Sequence, residues 1–332
     1  MTLKTGILGA TAGLALLAGA PIASAADLTV GYFLEWPMPF QYAKATGMYD
    51  EALGMEVNWV SFDTGTAMSA AMASGDVQIS VSQGLPPFVV ATSAGQDLQI
   101  VDIAVSYSEN DNCVVAEALE IDKDSAAELA GKKVGVPIGT AAHYGFLKQM
   151  SHFGVDVTSM EIVDMAPADG AAAFAQGNLD MVCGWGGGLR RMLEHGNVLL
   201  TGAEKEELGI LVVDVTSAPA GFVAEQAETL ETFLGVTAKA NAMWNAGDMQ
   251  DEMVEVIAKD AGMDIEATKA TIATFEFPSL EDQLGEKWLG GGLPAFMLGV
   301  AQVFQEAGSI PAALDSYEDA VAPGPLTSAS EM

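Results

Sequence analysis

The stretch Ala70-Ala71-Met72-Ala73-Ser74-Gly75-Asp76-Val77-Gln78-Ile79-Ser80-Val81-Ser82-Gln83-Gly84-Leu85-Pro86-Pro87 decides the fold. A small-residue helix, Thr64–Ser74, runs into it, and Gly75 is its C-cap signal. Val77–Val81 reads as a strand, Ser82–Leu85 as a polar turn. Pro86 and Pro87 open the next helix, because proline is tolerated in a first turn. Helix, strand and helix in close succession make the unit of a helix-covered sheet.

The alternation extends both ways. Upstream lie a strand at Leu28–Leu34, a helix at Phe40–Leu53 and a strand at Met55–Phe62. Downstream comes a strand at Leu98–Val105. A second round follows, with strands at Lys133–Pro137, Met160–Met165, Leu179–Cys183, Val198–Thr201 and Ile210–Val215. Helices at Thr140–Phe153, Ala168–Gln176 and Leu189–Glu194 lie between them. From Gly221 the pattern is helical, and the tail from Val321 should fray. The class is α/β with parallel sheets covered on both faces. The strands are too many for one sheet, so the chain divides into two lobes. The crossings are placed at Asn112–Glu117 and Leu211–Thr216, giving lobe one at 26–114 plus 215–332 and lobe two at 115–214. A cleft then lies at the C-terminal ends of the strands.

Residues 1–25 carry Lys4, an apolar run Ile7–Leu17 and the triplet Ala23-Ser24-Ala25, the pattern of a secretory signal cleaved after Ala25. The expected location is the periplasm. The formal net charge of −32 repels nucleic acid and anionic lipid, so neither is an expected partner. An anion must be held by local backbone dipoles. Cys113 and Cys183 each lie in an apolar strand-like run and read as buried thiols, while export leaves a disulfide open to them. Their spacing fits no metal site.

Enzyme signals are missing. There is no G-x-S-x-G elbow, no H-E-x-x-H, and no G-x-G-x-x-G after a strand. The chain reads as a binding protein without catalytic residues, metal or cofactor. Two strand-to-helix turns suit an anion: Ser82-Gln83-Gly84-Leu85 and Gly139-Thr140-Ala141-Ala142. Helix starts leave N–H groups free, and the hydroxyls of Ser82 and Thr140 add donors. The same turns also read as ordinary N-caps. His143 and Tyr144 follow the second. For a cation, Glu35-Trp36 ends the first strand, Tyr107–Asn112 with Glu109 and Asn110 is polar, and Trp185 follows a strand end. Asp214 is a lone carboxylate in an apolar run, costly unless paired. An ammonium between carboxylates and an indole face would be held by ion pairing and cation–π attraction. Core packing for the two tryptophans, and a structural hydrogen bond for Asp214, are the plainer readings.

These residues carry a resemblance. Ala70–Ala94, Gly131–Gly154 with Val136-Pro137 and Thr140-Ala141-Ala142-His143-Tyr144, Gln176–Trp185, Gly209–Val215 and Ala307–Tyr317 are similar to the taurine-binding periplasmic proteins of ABC importers. That family lies within a wider group for sulfonates, nitrate and thiamine precursors. The resemblance implies a two-lobed type II binding-protein fold closing on its ligand, with permease and ATPase partners and a monomeric state. It places a sulfonate near Ser82–Leu85 and Thr140–Tyr144, and an amine near Trp185 and Asp214. The chain departs at Glu35-Trp36-Pro37-Met38-Pro39, which is bulkier and more acidic than in many relatives and suits a cationic group. Taurine is the expected ligand; other aminosulfonates, betaine-like or dimethylsulfonio cations and thiamine pyrimidines are the alternatives. The thiamine-pyrimidine synthases that share the fold carry a cysteine-rich iron motif, which this chain lacks.

Overall fold

The computed structural model describes Thr2 and residues 28–330, so the expected signal sequence lies outside the described residues but for Thr2. Among the described residues, ten strands form two five-stranded sheets. They are β1 (Leu28–Phe33), β2 (Val57–Phe62), β3 (Ile79–Gly84), β4 (Leu98–Ser106), β5 (Asp111–Ala116), β6 (Lys133–Val136), β7 (Glu161–Asp164), β8 (Met181–Trp185), β9 (Gly196–Val198) and β10 (Val213–Pro219). The first sheet has the order β2-β1-β3-β10-β4 and the second β7-β6-β8-β5-β9.

Both sheets are mixed, which corrects the expectation of all-parallel ones. β10 runs antiparallel to β3 and β4, and β5 antiparallel to β8 and β9. The reversed strands, β5 and β10, are those that follow a crossing between sheets, so no helical crossover sets their direction. The crossings run through Tyr107–Asn110 and through residues 199–212. They are tied together, since the Tyr107 N–H donates to the Val212 carbonyl at 3.0 Å. Buried Lys205 grips them as well, its Nζ donating to the carbonyls of Ser108 (2.8 Å) and Asp111.

Local chemistry sets the element ends. Thr64, Thr140, Thr201, Asp264 and Ser279 each cap a helix by accepting a backbone N–H in its first turn. The helix expected over Phe40–Leu53 is two, Pro39–Ala45 and Met48–Leu53, because Gly47 takes a left-handed φ of 76° between them. The tail does not fray: Gly324–Ser330 is a helix with Pro325, Leu326 and Ala329 buried. Leu326 supplied the apolar anchor that its Pro- and Ser-rich setting obscured.

Cys113 and Cys183 face each other across β5 and β8 and are joined in a disulfide, which corrects the reading of two buried thiols. One helix of the second half, Ala141–His152, packs on the late helix Gly292–Glu306. There His143 stacks on Phe304 with centroids 5.3 Å apart, and Tyr144 meets Phe296 and Phe304 edge-on.

Candidate functional site

The strand ends converge as an α/β cleft requires. β1 ends at Phe33, β3 at Gly84 and β8 at Trp185, while Asp214 near the start of β10 is paired with Gly84. With Gly65, Pro87, Tyr107, Thr140 and Ala141 they line a tight cavity of about 10 Å3. Phe33 and Trp185, from different sheets, stand with ring centroids 6.3 Å apart. Both rings also line a wider cleft of about 250 Å3, which includes Glu35, Asp63, Ala166–Ala168, Gly187 and Gly188. The two aromatics therefore divide an inner cavity from an outer mouth.

Asp214 is the chemical centre of the inner cavity. Its Oδ2 accepts from the Ser82 hydroxyl at 2.7 Å, and its Oδ1 accepts from the Tyr107 hydroxyl. Ser82 in turn accepts from Trp36 Nε1 at 2.9 Å. Ser82 adopts a left-handed φ of 60°, which turns its hydroxyl between these partners. Trp36 packs on Tyr107 and Phe275 at 4.6 and 4.5 Å. Among the described residues, no Lys or Arg pairs with Asp214. Burial pushes its carboxyl up to about 8, against the pull of the Tyr107 and Ser82 hydrogen bonds, and the nearby Asp111 raises it further. Asp111 is itself buried, opposite Trp185 in the β5–β8 register, and its Oδ2 has no partner. Burial pushes it up to about 7, opposed by Lys205.

The anion side is supplied by helix starts. In Ala141–His152 the Thr140 Oγ1 donates to the Pro137 carbonyl at 2.6 Å and accepts from the His143 N–H at 3.4 Å. The N–H groups of Ala141 and Ala142, in the first turn, lie beyond the reach of the helix's own carbonyls. The helix Gly65–Ser74 brings a second start to the cavity at Gly65. The turn Ser82–Leu85 offers less. Ser82 is committed to Asp214. The Gln83 amide donates to Gly65 O at 2.8 Å and to Ser69, while its Oε1 accepts from Ser217 at 3.1 Å. Pro86 and Pro87 have no N–H, so Leu85 alone offers one in the first three helical positions.

The structure thus brings Gly84, Thr140, Ala141, Trp185 and Asp214 to one cavity, with Trp36, Ser82, Gln83 and Leu85 buried behind it. Five other candidates stand elsewhere. Glu35 is in the outer mouth, gripped by Arg191 with three hydrogen bonds of 3.0 Å. Glu109 accepts from the Gly202 N–H at 3.0 Å, and Asn110 donates to Thr271 and Thr274. His143 accepts from the Gly139 N–H at 3.1 Å, and burial lowers it to about 4, so it is neutral near pH 7. Tyr144, pushed up to about 12 by burial, is packed in the same helix pair. Phe33, Gly65 and Pro87 carry no local signal of a site. Tyr107 opened the polar run that drew attention to Glu109 and Asn110.

Among the described residues there is no cluster of three or more His, Cys, Asp or Glu placed to hold a metal ion, and no helix long and apolar enough to cross a membrane. Residues 37–247 match the NMT1/THI5-like family. The chain belongs to that family. Among its relatives, the taurine-binding periplasmic protein of Escherichia coli K12 is 26% identical over 303 residues, covering 90% of this chain and 92% of that one. Two solved structures share the fold. The periplasmic aliphatic sulphonate binding protein SsuA of E. coli has a TM-score of 0.70 at 22% identity, over 87% of this chain and 89% of that one. The alkanesulfonate-binding protein SsuA of Xanthomonas axonopodis pv. citri, bound to MOPS, has 0.73 at 20%, over 90% and 99%. Its NMT1/THI5-like membership accounts for a two-sheet α/β chain that places its polar groups between the sheets.

Proposed function

We propose that this protein captures taurine, or a close aminosulfonate, outside the cytoplasm and delivers it to an ABC importer. The observation that carries the reading is Asp214, a buried carboxylate on the cavity wall with no cationic partner among the described residues. A ligand ammonium would complete it, with the faces of Trp185, Phe33 and Tyr107 alongside. The free N–H groups at Ala141 and Ala142 and the start at Gly65 would take the sulfonate. A plain alkanesulfonate would leave Asp214 facing an alkyl chain, which disfavours that class. A quaternary cation prefers several aromatic faces, but Trp36 is off the cavity wall and engaged with Ser82, which weakens the betaine-like alternative.

Delivery to a permease and ATPase is supported by the family and by the taurine-binding relative. The two lobes, divided near the crossings, would swing together over the ligand. The reading is one of capture and delivery and names no reaction. A thermal-shift panel of taurine, ethanesulfonate, glycine betaine and dimethylsulfoniopropionate tests it. Taurine alone should give a large rise in Tm; a response to the betaines without taurine would sink the assignment.

A further inference from the structure

We infer that Glu35 and Arg191 form a latch that holds the two lobes shut over the ligand, an inference that rests on the capture-by-closure reading above. Glu35 follows β1 of the first sheet. Arg191 lies on the helix Gly186–Met192, which follows β8 of the second. Arg191 Nη1 donates to both carboxylate oxygens of Glu35 and Nη2 donates to Oε2, each at 3.0 Å. This fork geometry fixes direction as well as contact.

Three features make the contact a built one. Glu35 holds a left-handed φ of 53°, unusual for a residue with a side chain. Its N–H donates to the Ala261 carbonyl at 2.8 Å, anchoring it to the helix Gln250–Ala261. The facing helix opens with Gly186-Gly187-Gly188, a poor start by helix propensity. A Cβ on Gly187 would stand 2.6 Å from Glu35 Oε2, and one on Gly186 2.8 Å from Glu35 O. The glycines make the room that Glu35 occupies.

Both residues are therefore positioning groups. Glu35 lines the outer mouth and not the inner cavity, and Arg191 lines neither. The pair forms when the lobes meet and breaks when they part, so it slows release of ligand and leaves encounter alone. Its side chains are 40% and 36% exposed, which makes the effect modest and sensitive to salt.

Taurine release followed by stopped-flow tryptophan fluorescence tests this. Glu35→Gln and Arg191→Gln should each release taurine roughly three- to tenfold faster, with association within about twofold of wild type and the difference shrinking near 1 M salt. Unchanged release would overturn the latch. So would a Glu35→Gln protein that loses taurine yet gains ethanesulfonate, since Glu35 would then be the amine's own partner. Closure is also read without ligand. Glu35 Cβ stands 3.1 Å from the position of a Cβ on residue 187, so a Glu35→Cys/Gly187→Cys protein should crosslink when oxidised glutathione takes up its thiol hydrogens. No crosslink, with or without taurine, overturns the latch. Wild type that binds no taurine sinks the functional reading instead, and the crosslink then decides whether the lobes close at Glu35, the closure on which the latch depends.

Discussion

Replacing Asp214 by Asn tests the amine pocket at its centre. The change keeps shape and removes charge. The fold should accept it: the Asn oxygen can still accept from the Tyr107 hydroxyl, and Ser82 Oγ has a lone pair left after its bond from Trp36. What is lost is the attraction between a desolvated carboxylate and the ligand's ammonium. Truncating one partner of a buried charged pair costs about 2–5 kcal/mol. The amide oxygen retains a neutral hydrogen bond, so about 3 kcal/mol is the working figure, or roughly 150-fold in Kd at about 1.4 kcal/mol per decade. Ethanesulfonate, which has no amine, is the control. Near pH 7 it should bind Asp214→Asn about as well as wild type, because without an ammonium opposite it the raised Asp214 already keeps its proton. Calorimetric titration of both proteins with both ligands gives the four constants. Asp214→Asn binding taurine within about fivefold of wild type would refute the assignment of the ammonium to Asp214.

The pH dependence follows from the same group. Without ligand, Asp214 is raised to about 8 from an ordinary 3.8, so between these values the folded protein holds a proton that the unfolded chain releases. Stability should therefore fall as pH rises from about 4 to 8, and more gently in Asp214→Asn; urea melts across this range check the slope, and a wild-type slope of opposite sign would contradict it. An ammonium needs the ionised form, so taurine binding near pH 6.5 should release a proton and tighten toward pH 8, as titration in buffers of different ionisation heat would record. The Cys113–Cys183 bridge closes a loop of 70 residues, for which chain entropy gives roughly 4 kcal/mol; the double Ala variant should lose about 2–4 kcal/mol in urea melts, and an unchanged midpoint would contradict this.

Much of the architecture was legible because its signals are local. Gly75, Pro86-Pro87 and the runs around Val77 and Leu98 set element type by capping, ring constraint and apolar pattern. Strand direction was not legible, since β10 pairs with β3 and β4 from more than a hundred residues away, and local pattern carries no pairing information. Asp214 and Trp185 stood out because a carboxylate in an apolar run and an indole at a strand end are locally anomalous. Phe33 did not, because an aromatic at a strand end reads as core until the opposite sheet is in place, and Tyr107 showed only as the start of a polar run. Glu35 was read as an amine partner because Arg191, its actual partner, lies 156 residues away in sequence. The Cys113–Cys183 pairing stayed open for the same reason: their strands become neighbours only in the assembled sheet.

Calorimetric titration of the protein with taurine, followed by glycine betaine as competitor, tests the central claim most directly. One-to-one taurine binding that glycine betaine leaves undisturbed is the expected result. No taurine heat, with glycine betaine binding in its place, would contradict the aminosulfonate assignment.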